Sequence, residues 1–208
     1  LRHDLLSPLW PRLKALRSTN PYLVIYHSSS GQITTARRLM IEIQQAIKNR
    51  LRDYGYTSVF SSSIMDQLVN KLNDSREILN WENIFKEHRG RFRTAASPAE
   101  VIERLQAGDV AMGEQVAEAL EEEGITLIDS PGDVKAWIRE VISANNLQGI
   151  VFIWDEFTEF FANNVGVTPL QELAQATADM PFYLFLVTHR AVSQFGRIDD
   201  DTRKKLMD

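Results

Sequence analysis

The chain has 208 residues and carries 23 lysines and arginines against 28 aspartates and glutamates, which gives a formal net charge of −5. This length suits one domain, or one domain with a large insertion. Hydrophobic residues at 44% and charged residues at 25% are typical of a folded globular chain and argue against disorder. The absence of cysteine excludes a disulfide framework and a thiolate zinc site, and it is compatible with the cytoplasm.

The charge balance and the first residues argue against DNA-coating, membrane and secreted proteins. A slight acidic excess argues against a dedicated DNA-coating domain, although a local patch could still bind nucleic acid. No apolar run approaches the roughly 20 residues that a membrane helix needs. Residues 1–4 contain neither an initiator methionine nor a signal-peptide core. We therefore expect a piece of a longer cytoplasmic protein that makes no membrane contact.

Continuous apolar runs predict the strands. They cover residues 22–26, 150–154 and 182–187, and a weaker candidate covers residues 57–60. None of the three strong runs alternates with polar residues, which is typical of the middle of a parallel sheet with helices on both faces.

Helical spacing and start signals predict the helices between these strands. The first helix covers residues 35–52, because its apolar residues recur on one face. The predicted starts of later helices are Ser63, Ser97, Ser130 and Thr168. Pro181 requires the last of these helices to end before it.

The order of these elements predicts an α/β fold with a parallel sheet and right-handed crossovers. Residues 63–146 look wholly helical and are too long for one crossover. We interpret them as an all-helical insertion or subdomain between the second and third strands. The α/β core would then consist of residues 1–62 and 147–208.

The strongest functional signal is a pair of carboxylates directly after an apolar strand. Asp155 and Glu156, which we call the acidic turn, follow the run that ends at Trp154. Because burial of a carboxylate is costly, both should lie at the carboxyl tip of the strand, where open α/β sheets bind ligands. One carboxylate can hold the Mg²⁺ of a nucleotide, and its neighbour can polarise an attacking water. The alternative is a strand that runs into a polar loop or a helix N-terminus.

A loop of small residues after the first strand is the second signal. A strand, a loop and a helix N-terminus make an anion-binding site, because free backbone N–H groups and the helix dipole point at the loop. The residues that would line phosphates here are Ser29, Ser30, Gly31, Gln32, Thr34 and Thr35. The pattern G-x-x-x-x-G-K-[ST] is not met: if Gly31 is the second glycine, Gln32 replaces the lysine and Ile33 the hydroxyl residue. The alternative is a serine-rich turn with a capping hydroxyl.

The third signal is the polar end of the last strand. Thr188 and His189 directly follow the apolar run. Thr188 is the first candidate to orient a water or to touch a terminal phosphate, and His189 is the second. The alternative is a strand end with a capping threonine.

The order of the three signals resembles that of the P-loop NTPases of the additional-strand, catalytic-glutamate (ASCE) division, which includes AAA+ and STAND ATPases. The resemblance covers residues 21–60 and 147–190, with the acidic strand as a Walker B motif and the serine-glycine loop as a degenerate Walker A motif. It implies a three-layer P-loop-type sheet flanked by helices, and it implies ATP and Mg²⁺ as ligands.

The resemblance also implies roles for individual residues. Asp155 would be the metal carboxylate, and Thr34 is close enough in the loop to supply a metal-binding hydroxyl. Glu156 would activate water, and Thr188, with His189 as the second candidate, would act as the sensor. In phosphoryl transfer the protein mainly positions groups and neutralises charge, so the missing lysine bears directly on activity.

Residues 152–157 and 186–190 look like the corresponding segments of large phage-defence or DNA-transaction ATPases of the BREX kind. This resemblance implies an ATP-binding and hydrolysing module of a larger multidomain protein, with other domains or subunits as partners and nucleic acid reached through them. The alternative is a non-catalytic scaffold that keeps the fold and mediates protein–protein contacts. A third option is direct nucleic-acid binding by Arg89, Arg91 and Arg93.

Overall fold

The structure is a computed structural model, and it describes residues 11, 21–28, 32–56, 62–73, 79–163 and 166–189. Three strands form one parallel sheet: β1 is Tyr22–His27, β2 is Gly149–Trp154 and β3 is Phe182–Leu186. They pair in the order β1-β2-β3, so the acidic strand β2 lies in the middle. His27 is in register with Trp154, and Trp154 with Leu186, so all three strands end together at what we call the carboxyl edge.

The described residues contain seven α-helices. They are α1 Ala36–Asp53, α2 Ile64–Asn73, α3 Trp81–Glu87, α4 Pro98–Ala107, α5 Val110–Glu122, α6 Pro131–Ala144 and α7 Thr168–Gln175. Two 3₁₀ segments, Phe157–Asn163 and Ala176–Ala178, precede and follow α7. Six of the seven helices therefore come between β1 and β2.

Local start signals begin most of these helices as predicted. Thr35, Ser97 and Ser130 are N-caps whose side chains accept a hydrogen bond from the backbone three residues further on. Ser63 exchanges bonds with Asp66 in the same way, since each side chain accepts from the other residue's backbone N–H.

The predicted cap at Thr168 is wrong. Thr168 is itself the first residue of α7, Val167 precedes it, and no side chain caps this end of the helix. Pro169 explains the difference, because a proline in the first turn already has a helical φ and no N–H that needs a partner.

Helices cover one face of the sheet in the described residues. Leu23, Ile25, Phe152, Trp154 and Phe182 point to that face and are at most 3% exposed. On the opposite face the side chains are half-buried or exposed. A second helical layer, as in the predicted three-layer arrangement, therefore stays a prediction.

One continuous hydrophobic cluster joins the sheet to the helices. Buried side chains from all three strands and all seven helices belong to it. Helix α1 packs on both β1 and α5, while α2 packs on α4. The helices between β1 and β2 thus share the core of the sheet.

No described helix is both long and apolar enough to cross a membrane.

The coarse prediction of an α/β fold with a parallel sheet is confirmed. The predicted strands over residues 22–26, 150–154 and 182–187 agree with β1, β2 and β3 to within one residue at each end. The weaker strand over residues 57–60 lies outside the described residues. β1, which precedes the serine-glycine loop, is the direct neighbour of β2, which precedes Asp155 and Glu156.

Candidate functional site at the carboxyl edge

The acidic turn is held between the ends of the two outer strands. The backbone N–H of Asp155 donates to the carbonyl of His27 at 2.7 Å, and that of Phe157 donates to the carbonyl of Val187 at 2.9 Å. The N–H of Val187 in turn donates to the carbonyl of Trp154 at 2.8 Å. These bonds continue the sheet ladder past β2 and hold the acidic turn at the carboxyl edge, where ligands bind in open α/β sheets.

Asp155 accepts hydrogen bonds on both of its carboxylate oxygens. The Tyr26 hydroxyl donates to Oδ2, and the backbone N–H of Glu156 donates to Oδ1 at 2.8 Å. These donors, the phenol first, hold the pKa of Asp155 below its usual value, and the charge of His189 acts in the same direction. Asp155 is therefore ionised at neutral pH, and each oxygen keeps a further lone pair that a cation can use.

Tyr26 is the residue of this site that sequence analysis missed. It lies near the end of β1, opposite Ile153, and meets Asp155 across 129 positions of sequence. The hydrogen bond to Asp155, followed by slight desolvation and the negative charges of Asp155 and Glu156, raises the pKa of Tyr26. The sequence shows only a tyrosine near a strand end. Its contact with Asp155 cannot be inferred until the neighbouring strand is known.

Glu156 has a left-handed backbone conformation. Its φ is +58°, a region that costs a residue with a Cβ roughly 1–2 kcal/mol. The residue is exposed, and its N–H makes the bond to Asp155. Strain of this kind clusters at functional sites, so it supports a role for the acidic turn beyond ending a strand.

Replacing Glu156 with glycine should stabilise the fold by about 0.5–1 kcal/mol, because glycine adopts a positive φ without the Cβ penalty. Urea unfolding measures the change. Asn146 is the matched control, since its φ is also positive at +53° but asparagine tolerates this region better. Asn146→Gly should therefore change the free energy of unfolding less. A loss of stability in Glu156→Gly would contradict backbone strain at Glu156.

The two sensor candidates lie beside the acidic turn. Thr188 and His189 follow Val187, whose backbone N–H and carbonyl are hydrogen-bonded to the residues on either side of the turn. His189 is close enough to Asp155 for its charge to affect the pKa of that carboxyl. The structure thus brings these two candidates and the acidic turn to one edge.

The predicted phosphate loop is described only in part. Ser29, Ser30 and Gly31 lie outside the described residues. Gln32 and Thr34 are exposed, and the side-chain carbonyl of Gln32 accepts a hydrogen bond from Arg38 at 3.1 Å. The loop leaves β1 at His27, whose carbonyl binds the N–H of Asp155, so it begins next to the acidic turn.

Thr35 caps α1 and also faces a carboxylate. Its oxygen accepts from the backbone N–H of Arg38 at 3.0 Å, and its hydroxyl donates to Glu114 of α5. Arg38 pairs with the same Glu114 at 3.3 Å. A phosphate at this end of α1 would therefore meet the negative charge of Glu114 as well as the helix dipole and the Arg38 cation.

His27 and Trp154, which are in register on β1 and β2, contact each other on the covered face of the sheet. Trp154 directly precedes the acidic turn. The two rings are nearly perpendicular, with centroids 5.0 Å apart. Nε2 of His27 lies 3.0 Å from Oε1 of Glu42. The Trp154 indole N–H is buried and has no hydrogen-bond partner in the described part of the chain, which is unusual for a buried indole.

Two of the arginines considered for nucleic-acid binding make contacts within the chain. Arg89 donates to two backbone carbonyls of its own loop, at 2.7 and 2.6 Å. Arg91 forms ion pairs with Glu118 and Glu122 of α5. Arg93 is exposed. These contacts give Arg89 and Arg91 structural roles and weaken the case for a basic patch.

The candidate site therefore consists of Tyr26, Asp155, Glu156, Thr188 and His189 at the carboxyl edge. Comparison of the chain with protein-family models, curated proteins and solved structures finds no match. The functional interpretation consequently depends on the geometry and chemistry of these side chains. Two adjacent carboxylates are the kind of ligand that Mg²⁺ uses, with waters and substrate phosphates as its remaining ligands.

Proposed function

We propose that the carboxyl edge binds Mg·ATP and that the chain is an ATP-binding and ATP-hydrolysing module. The observation that supports this most is the acidic turn. An ionised aspartate and a strained, exposed glutamate meet at the tip of the middle strand of a parallel sheet. Ligands of α/β proteins bind at this edge.

Each side chain of the site has a role in the proposal. Asp155 would hold Mg²⁺, which would neutralise charge on the phosphates when bound. Glu156 would accept a proton from the attacking water. Thr188 and His189 would hydrogen-bond the terminal phosphate, and Tyr26 would hold the Asp155 carboxylate in place. Both oxygens of Asp155 keep lone pairs for a hard cation, so the residues present fit the metal.

The proposed phosphate contacts come from a loop without the usual lysine. Gln32, Thr34 and Thr35 remain the proposed phosphate ligands, together with the three loop residues outside the described ranges. The absent lysine removes a charge-assisted contact worth about 1.5–3 kcal/mol, and Glu114 adds a negative charge at Thr35. Arg38, which contacts both Gln32 and Glu114, is the cation that could offset these losses.

A second candidate function is the non-catalytic scaffold. The carboxylate of Glu114 favours it, because it places a negative charge at the N-terminus of α1, which would repel a phosphate there. The finer proposal of a module in phage defence or DNA processing depends on the residue pattern of 152–157 and 186–190. It follows only if the ATP proposal holds.

Binding of Mg·ATP tests the first proposal against the second. At a ligand concentration about 100-fold above Kd, stabilisation is about 2.7 kcal/mol, which raises Tm by about 5–10 °C for a chain of this size. The tryptophan emission of the chain should change in the same titration, because Trp154, one of its four tryptophans, is adjacent to Asp155. Asp155→Asn should remove most of the Mg²⁺-dependent part of both signals.

Asp179→Asn is the matched control for this experiment. It removes the same charge from an exposed residue near the start of β3, at the opposite edge of the sheet. Mg·ATP should stabilise this variant as it stabilises the unmodified chain. If Mg·ATP shifts neither Tm nor emission in the unmodified chain, the scaffold function is favoured and the nucleotide site is wrong.

A further inference from the structure

A buried carboxylate contacts Thr35, one of the proposed phosphate ligands. Glu114 of α5 is only 8% exposed, although it is charged. One of its oxygens accepts a hydrogen bond from the Thr35 hydroxyl, and the other lies 3.3 Å from Nη1 of Arg38. Because Thr35 is the N-cap of α1, the carboxylate lies at the positive end of the helix dipole. The start of α1 therefore already binds an anion, and this anion belongs to the chain itself.

Arg38 is the cation of this contact, and the contact does not use all of its donors. The Arg38 side chain is 15% exposed, and its Nη2 donates to the side-chain carbonyl of Gln32 at 3.1 Å. Nε of Arg38 is buried and has no hydrogen-bond partner within the described ranges. A guanidinium has five N–H donors, and a phosphate group has more acceptor oxygens than a carboxylate. A phosphate that replaced Glu114 would thus give Arg38 an anionic partner with a wider set of acceptors.

The backbone of α5 is fixed by close packing at this point. Gly113 directly precedes Glu114, and a Cβ at Gly113 would overlap the sulfur of Met65 on α2. Met112 and Ala117 of the same helix are also buried in the core. A shift of α5 away from α1 would break this packing. Glu114 can therefore release Thr35 and Arg38 only by rotation of its own side chain.

We propose that Glu114 is an autoinhibitory carboxylate, which competes with phosphate for Thr35 and Arg38 and must rotate away before a nucleotide binds. This inference rests on the proposed function, because it concerns the regulation of the same nucleotide site. It predicts that loss of the Glu114 charge strengthens phosphate binding. An ion pair that only joined α1 to α5 would affect stability and leave phosphate affinity unchanged.

Tripolyphosphate without Mg²⁺ is the probe, because it reports on the phosphate contacts and does not require the metal carboxylate. Isothermal titration calorimetry in EDTA measures its Kd for the 208-residue chain. Glu114→Gln keeps the size of the side chain and a carbonyl that can accept from Thr35, but it removes the charge. This variant should bind tripolyphosphate about tenfold or more tightly than the unmodified chain, because a full negative charge next to the bound anion is lost.

Glu118→Gln is the matched control, because it removes the same charge from α5 and an ion-pair partner from Arg91. Its affinity for tripolyphosphate should stay close to that of the unmodified chain. Arg38→Gln added to Glu114→Gln should abolish the gain, since the phosphate then has no guanidinium to bind. Circular dichroism checks that the variants fold, and Glu114→Ala repeats the measurement with another residue that suits a helix.

Unchanged, weaker or undetectable binding by Glu114→Gln overturns the inference, as does an equal gain in Glu118→Gln or a gain that survives in the double variant. If neither Glu114 variant folds, the contact is structural and the inference is wrong. Failure of the proposed function gives a different result. Mg²⁺ would then not tighten ATP binding in any variant, and Asp155→Asn would have no effect, whatever the tripolyphosphate affinities are.

Discussion

Truncation of Trp154 to alanine should lower the free energy of unfolding by about 3–5 kcal/mol, the usual cost of deleting a large buried aromatic side chain. The residue is fully buried, and its ring centroid lies 5.5 Å from that of Phe152 and 5.2 Å from that of Phe157. It thereby ties the sheet to the 3₁₀ segment that follows the acidic turn. Urea unfolding followed by circular dichroism measures the loss without depending on tryptophan emission.

Trp154→Phe should cost less than Trp154→Ala, because it removes fewer buried atoms. Phenylalanine keeps the ring contacts and removes an N–H that is buried without a partner in the described residues. Trp81 is the matched control, because it is also buried but its N–H donates to the carbonyl of Pro98 at 3.2 Å. Trp81→Phe removes that hydrogen bond and should cost more than Trp154→Phe. The reverse order would show that a buried water or another group pairs with the Trp154 N–H.

The parts of the fold that could be predicted are those determined by residues close in sequence. Residues 22–26 and 150–154 are runs of aliphatic and aromatic residues, and they form β1 and β2 almost without adjustment. A helix cap such as Thr35 or Ser130 acts on a backbone N–H three positions away, so four residues contain the whole signal. The predicted cap at Thr168 is wrong, because Pro169 in the first turn already has a helical φ and needs no capped N–H.

Coverage of the sheet could not be predicted in the same way. The unbroken apolar run over residues 22–26 indicated a strand buried on both faces, but Tyr22, Val24 and Tyr26 are exposed on one of them. Tyrosine suits such a position because its hydroxyl can remain in water while its ring packs. β1 is also an outer strand of the described sheet, and Arg50 donates to the carbonyl of Val24 at 2.9 Å. Neither feature follows from periodicity.

At the candidate site, the sequence predicts which residue types are present, but it does not predict which partners they contact. The acidic turn lies at the strand tip because carboxylates avoid burial, which is a property of the residues themselves. The partners depend on strand order and helix packing: Tyr26 reaches Asp155 over 129 positions, and Thr35 reaches Glu114 over 79. The candidate metal carboxylate therefore follows from the sequence, whereas its hydroxyl partner Tyr26 and the acid Glu114 at the N-terminus of α1 do not.

Glu156→Gln should lower ATP turnover of the full-length protein by about 10²–10⁴-fold, the usual contribution of a general base. Glutamine keeps the size of the side chain but cannot accept a proton from water. Binding of Mg·ATP should persist, so the variant should retain nucleotide. Phosphate release at saturating Mg·ATP measures turnover, and retention of labelled ATP measures binding.

The choice of glutamine separates proton transfer from backbone strain. In Glu156→Gln the new side chain has the same positive φ and the same Cβ penalty as the glutamate it replaces, so the fold and the bond to Asp155 should not change. Glu103→Gln is the control for net charge, since Glu103 is an exposed acid on α4. Turnover that persists in Glu156→Gln rules out the base, and equal loss in both variants points to net charge. Asp155→Asn should lose Mg·ATP binding, whereas Glu156→Gln should lose turnover alone. Together these results would assign metal binding to Asp155 and proton acceptance to Glu156.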